Sequence, residues 1–96
     1  MREKLLEQKL VKAVKAAGGI ALKFTSPGFD GVPDRLILFP YGRIAFAEVK
    51  MHGVNSRPLQ IRRHEMLRQL GFMVFVIDDE FQITWIISKI IGGDAK

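Results

Sequence analysis

Cysteine is absent from this chain of 96 residues. Disulfides, thiolate nucleophiles and zinc–thiolate sites are therefore excluded. Any metal must be held by oxygen ligands or by the two histidines, His52 and His64. No uncharged apolar run approaches the ~20 residues that a membrane-spanning helix needs. No basic-then-apolar leader ending in small residues opens the sequence, so neither membrane insertion nor secretion is expected. Repeats, linkers and low-complexity stretches are also missing, and a chain this short is expected to form one domain over residues 1–96. Acidic residues are in deficit: 10 Asp and Glu face 15 Lys and Arg, a net charge of +5. That excess favours an anionic partner, nucleic acid first, with a solvated basic surface as the plainer alternative. Hydrophobic residues reach 48%, which rules out disorder of the whole chain and suffices for one modest core.

The chain divides by its breakers. Residues 2–17 contain no Gly or Pro, and Leu6, Leu10, Ala13, Val14 and Ala17 recur at helical spacing, so an amphipathic helix is predicted, ended by Gly18-Gly19. Residues 20–25 are a short strand, and residues 26–33, with Pro27, Gly28 and Gly31, are loop. Residues 35–39 and 43–51 are β-rich runs joined by a hairpin turn at Pro40-Tyr41-Gly42. After a polar loop over 52–57, residues 58–70 read as a helix with Pro58 in its first turn and Gly71 after its end. Residues 72–77 form a continuous apolar run, a buried strand. Residues 81–91 fit two periods. Phe81, Ile83, Trp85 and Ile87 alternate as in a strand, whereas Ile83, Ile86, Ile87, Ile90 and Ile91 make a helical stripe. Asp79 followed by Gln82 resembles a capping box, which favours the helix. A short polar tail follows over 92–96. The expected order is α-β-β-β-α-β-α, an α/β sheet flanked by helices.

Polar residues inside apolar patterns are the informative ones. Glu48 and Lys50 share one strand face with Ile44 and Phe46, the face expected to be buried because Ala45, Ala47 and Val49 offer less bulk. A charged pair there costs free energy unless it is paired or bound to metal. A structural Glu–Lys pair at a strand end is the plainer alternative. Hairpin pairing brings Asp34 close to Glu48 and Lys50. Two carboxylates held together raise each other's pKa, and a divalent cation removes that penalty. A turn carboxylate after Pro33 would also explain Asp34. Glu7 lies on the border of the first helix's apolar face, pointing toward the sheet or to water. Gln60 opens the second helix, with His64 and Leu67 on its face; His64 is expected at the border or on a phosphate rather than on a metal. Arg57, Arg62, Arg63 and Arg68 concentrate basic charge on this segment, and the planar guanidinium suits phosphate. A solvated arginine face is the alternative.

Glu7, Gly31-Val32-Pro33-Asp34-Arg35, Glu48-Val49-Lys50 and Gln60, in this order, resemble the virus-type replication-repair nuclease (VRR-NUC) domain of the PD-(D/E)xK nuclease superfamily. The resemblance covers roughly residues 3–78 and is to the minimal stand-alone type found in phages and bacteria. It implies a restriction-endonuclease-like core with a small mixed sheet. It implies that Asp34, Glu48 and the Val49 backbone carbonyl hold Mg²⁺ or Mn²⁺, with Glu7 completing the acidic site directly or through water. Lys50 would position or activate the attacking water and Gln60 would support the site. Arg57, Arg62, Arg63, His64 and Arg68 would face DNA. The implied activity is a structure-specific endonuclease leaving a 5′-phosphate and a 3′-hydroxyl. Minimal members resemble Holliday-junction resolvases acting on four-way DNA as homodimers, without a small-molecule cofactor, in the cytoplasm of a bacterial or phage-infected cell. If residues 81–91 are helical, Phe81 and Trp85 lie opposite the isoleucine stripe, an apolar surface that a partner chain would cover.

Three rival readings stand beside this one. The first is a monomeric flap or single-strand nuclease. The second is a DNA-binding module without catalysis, which would gain nothing from clustered carboxylates. A small protein-interaction domain with a structural Glu48–Lys50 pair is a further possibility.

Overall fold

The computed structural model describes residues 2–92. Seven elements follow in the expected order: α1 (Glu3–Ala16), β1 (Ile20–Lys23), β2 (Arg35–Phe39), β3 (Arg43–Val49), α2 (Pro58–Gln69), β4 (Met73–Ile77) and α3 (Phe81–Gly92). The strands form one mixed sheet in the order β1-β2-β3-β4. β1, β2 and β3 are antiparallel neighbours, while β4 runs parallel to β3. The helix α2 lies between β3 and β4 in the chain and returns it across the sheet, the connection a parallel pair requires.

The β2–β3 hairpin turns where the sequence places it. Tyr41 and Gly42 both take left-handed backbone angles, φ 68° and 72°, and Phe39 pairs with Arg43. The register pairs Arg35 with Ala47, so Asp34, just before β2, stands beside the end of β3. That register is what brings Asp34 to Glu48.

The sheet is covered on both sides, which corrects the expectation of a single buried face on β3. Ala45, Ala47 and Val49 are fully buried under α1 and α3, together with Leu6, Leu10, Val14, Ile83, Ile86 and Ile90. Ile44 and Phe46 lie on the opposite face with Leu67, Val74 and Phe72, the face that α2 covers. Small side chains on β3 do not mark a solvent face; they let two helices approach a strand that lies inside the sheet. Full burial of each large aliphatic side chain contributes roughly 1.5–3 kcal/mol. Several such residues outweigh the cost of burying one carboxylate on the other face.

Residues 81–91 are helical, as the capping box suggested. Gln82 Oε1 accepts from Asp78 N at 2.9 Å and from Asp79 N at 3.2 Å, and Asp79 Oδ1 accepts from Phe81 N at 3.0 Å. Ile83, Ile86 and Ile90 face the core, whereas Phe81 and Trp85 face outward. Of the polar tail expected over 92–96, Gly92 closes α3 and the rest lies outside the described residues.

Candidate active site

The site forms where the ends of β2 and β3 meet the first turns of α2. Asp34 is anchored at both ends. Its backbone carbonyl accepts from Phe24 N at 2.8 Å, and its Oδ2 accepts from Val49 N at 3.1 Å. The preceding loop closes against α2 through Gly31, whose φ is +90°. A Cβ on Gly31 would stand 3.0 Å from Leu59 Cγ, so only glycine fits there without a shift.

Glu48 points from β3 into the layer beneath α2 and is 2% exposed. Gln60 holds it: Gln60 Nε2 donates to Glu48 Oε2 at 3.0 Å. The amide oxygen of Gln60 accepts from Lys50 Nζ and from Arg57 N, both at 2.9 Å. One side chain thus caps α2, fixes a carboxylate and fixes an ammonium. Lys50 Nζ also lies 3.6 Å from Glu48 Oε2, and Lys50 N donates to Ile77 O at 2.8 Å, extending the β3–β4 ladder.

Burial, and then the Asp34 carboxylate, push the Glu48 carboxyl up to about 7; the ammonium of Lys50 pulls the other way without overcoming them. Glu48 Oε1 is buried and has no hydrogen-bond partner among the described residues. A second carboxylate nearby and an unsatisfied carboxylate oxygen are the features a hard divalent cation compensates, so Asp34 and Glu48 fit Mg²⁺ or Mn²⁺. Among the described residues, no three Asp, Glu, His or Cys side chains cluster as a ready-made metal cage. A cation held here would therefore take much of its shell from backbone oxygen, water or a phosphate.

The structure does not bring Glu7 into that set. Glu7 Oε2 accepts from Arg35 Nε at 2.7 Å, and the same guanidinium donates to Ala21 O at 3.1 Å. Arg35 alternates with Asp34 and shares the sheet face of Ile37 and Phe39, which α1 covers. The sequence leaves Glu7 open between the sheet and water and does not reveal which face α1 covers; the structure turns it to Arg35 on the sheet. His64 is also displaced from its expected place. It is 2% exposed, because the Gln60–His64–Leu67 face of α2 packs on the sheet, so the ring is not on a phosphate-contacting surface.

The arginines divide by task. Arg63 Nε donates to Asp30 O at 2.8 Å, and its guanidinium lies 3.8 Å over the Phe29 ring, tying the loop to α2. Arg68 donates to Val74 O at 2.7 Å. Arg57 and Arg62 are exposed, and neither side chain makes a hydrogen bond or ion pair among the described residues. Sequence reasoning missed Arg35 as the partner of Glu7 and the backbone N–H of Val49 as a donor to Asp34. The first could have been found from the unpaired charge opposite Glu7; the second follows only from the register.

A four-stranded mixed sheet with an acid ahead of one strand and an acid-x-lysine pair at the end of the next defines a restriction-endonuclease-like α/β domain. No protein-family model matches the chain. It is 48% identical over 80 residues to a protein of Acyrthosiphon pisum secondary endosymbiont phage 1 named "Putative nuclease p44", covering 83% of this chain and 86% of that one. A solved structure described as a VRR_NUC domain superposes with a TM-score of 0.84 at 33% identity, covering 90% of this chain and 94% of the other. The chain belongs to the VRR-NUC family.

Proposed function

We propose that this protein is a Mg²⁺- or Mn²⁺-dependent, structure-specific DNA endonuclease, and that it acts on four-way junctions as a homodimer. The observation that carries the reading is the buried Glu48 carboxylate beside Asp34, with one oxygen held by Gln60 and the other without a hydrogen-bond partner among the described residues. Two carboxylates held this close raise the cost of burial, and a bound cation would offset it. The relative named a nuclease adds support.

Asp34, Glu48 and the Val49 carbonyl would hold the cation. When bound, it supplies positive charge at the scissile phosphate and acidifies a coordinated water. The chain's own residues do the rest. Gln60 fixes the Lys50 ammonium beside Glu48, where it steadies the charge that develops on the phosphate oxygens. A water oxygen would bond to phosphorus and lose a proton to solvent as the bond from phosphorus to the 3′-oxygen breaks. The 3′-oxygen takes a proton, leaving a 5′-phosphate and a 3′-hydroxyl. Arg57 and Arg62 are exposed on and beside the first turn of α2 and would contact phosphates flanking the site.

Phe81 is 83% and Trp85 57% exposed on α3. Trp85 stacks edge-on against Phe75 of the edge strand β4, with ring centroids 6.0 Å apart. This apolar surface supports the dimer reading, because two-fold related sites match the two strands a resolvase must cut.

The test is incubation of purified protein with duplex, single-stranded, flap and four-way DNA, with and without Mn²⁺. The expected result is Mn²⁺-dependent, paired cleavage of the junction. Cleavage confined to flaps or single strands refutes the resolvase assignment, and no cleavage of any substrate refutes the nuclease reading.

A further inference from the structure

The contact between Glu48 and His64 has no part in the chemistry above. His64 follows Gln60 by one turn on the buried face of α2. Its Nε2 lies 3.7 Å from Glu48 Oε1, and neither atom has a hydrogen-bond partner among the described residues. An unsatisfied buried polar group costs about 1–3 kcal/mol, and native structures contain few of them. Two orphans facing each other are more simply one interaction than two independent defects.

A neutral imidazole carries one N–H, on either ring nitrogen. With that proton on Nδ1, the lone pair of Nε2 would oppose the oxygen of the ionised carboxylate, the form a cation binds. With it on Nε2, a donor meets an acceptor. The ring also lines an open cavity of about 570 Å³ with Asn55, Ser56 and Arg68.

We propose that His64 is a positioning residue whose Nε2–H donates to Glu48 Oε1 and orients that oxygen toward the cation. Gln60 fixes Oε2 and His64 fixes Oε1, so the carboxylate is held at both ends. Oε1 keeps a second lone pair for the cation. The inference rests on the reading of Asp34 and Glu48 as a metal site. Hydrogen-bond partners of this kind orient the ligands they touch, and losing one typically weakens metal binding by about 10–100-fold.

Two measurements on DNA-free protein test it. Long-range ¹H–¹⁵N NMR of the unmodified, metal-free chain at pH 7.5 reads the tautomer. Protonated Nε2 with bare Nδ1 is expected, and the opposite tautomer overturns the proposal without any variant having to fold. Mn²⁺ affinity, followed by electron paramagnetic resonance, is the second measurement. His64→Leu should bind at least about tenfold more weakly, and His64→Gln, whose amide can donate from nearly the same place, should stay close to the unmodified protein. A Leu variant that binds Mn²⁺ normally, or a Gln variant as weak as the Leu variant, overturns the proposal. An unmodified protein that binds no Mn²⁺ refutes the metal site itself, and the tautomer still decides whether the hydrogen bond exists.

Discussion

Replacing Glu48 by Gln should stabilise the metal-free protein while abolishing cleavage. The Glu48 carboxyl titrates at about 7 in the fold against an ordinary 4.5, chiefly because it is buried and secondarily because Asp34 is near. Each pKa unit corresponds to about 1.4 kcal/mol. The fold favours neutral Glu48, so its contribution is fully present below pH 4.5 and is lost as pH rises through 7. Above that point the ionised carboxylate costs the metal-free fold about 3 kcal/mol, and at pH 5 only about 1 kcal/mol. Glutamine has no charge to bury, and its amide oxygen can still accept from Gln60 Nε2. At pH 8 in chelator, Glu48→Gln should therefore unfold roughly 12–24 °C higher than the unmodified chain, taking about 4–8 °C per kcal/mol for a domain of this size. The gain should shrink toward pH 5. Thermal melts followed by circular dichroism across pH 5–8.5 read both numbers. Adding Mn²⁺ should raise the unmodified protein alone, since only it binds the ion. A variant that melts lower at pH 8, or a gain that does not grow with pH, would refute the account of Glu48 as a carboxylate strained for the sake of a cation.

Lys50→Ala should keep the fold and junction binding but lower the single-turnover cleavage rate by on the order of 10²–10³; an unfolded variant would instead make the Glu48–Lys50 pair structural. Junction affinity should fall steeply with salt, and Arg57→Ala with Arg62→Ala should flatten the log–log slope by about 0.9 per arginine. An unchanged slope in fluorescence anisotropy titrations would move the DNA surface elsewhere, for example to Lys9, Lys12 and Lys15 of α1. Trp85→Glu should yield folded monomers by light scattering that lose paired junction cleavage, because an exposed tryptophan is a strong interface anchor. A monomeric unmodified protein at micromolar concentration would refute the dimer and favour a flap nuclease.

Much of this architecture was legible because local signals agreed with one another. Gly18-Gly19, Pro58, Gly71 and the Asp79–Gln82 box mark helix ends. The hairpin at Tyr41-Gly42 fixes a register, and the register carries Asp34 to Glu48. What the residues do not encode locally is which face of the sheet each helix covers. That choice sends Glu7 to Arg35 and buries both faces of β3 where one was expected. His64 shows the same limit. Its spacing from Gln60 places both on one helix face, but only the packing of α2 turns that face inward. The arginines look alike in sequence, yet Arg63 and Arg68 are engaged by backbone carbonyls, which no spacing rule foretells.

The central claim is that Asp34 and Glu48 form a divalent-cation site that drives phosphodiester hydrolysis. Single-turnover cleavage of a labelled four-way junction, by the unmodified protein and by Asp34→Asn, from excess chelator to millimolar Mn²⁺, tests it most directly. The account predicts no product in chelator, a saturable rise with Mn²⁺ to 5′-phosphate ends, and no product from Asp34→Asn at any concentration. Cleavage at full rate in chelator, or an Asp34→Asn protein that cuts as the unmodified one does, would contradict it.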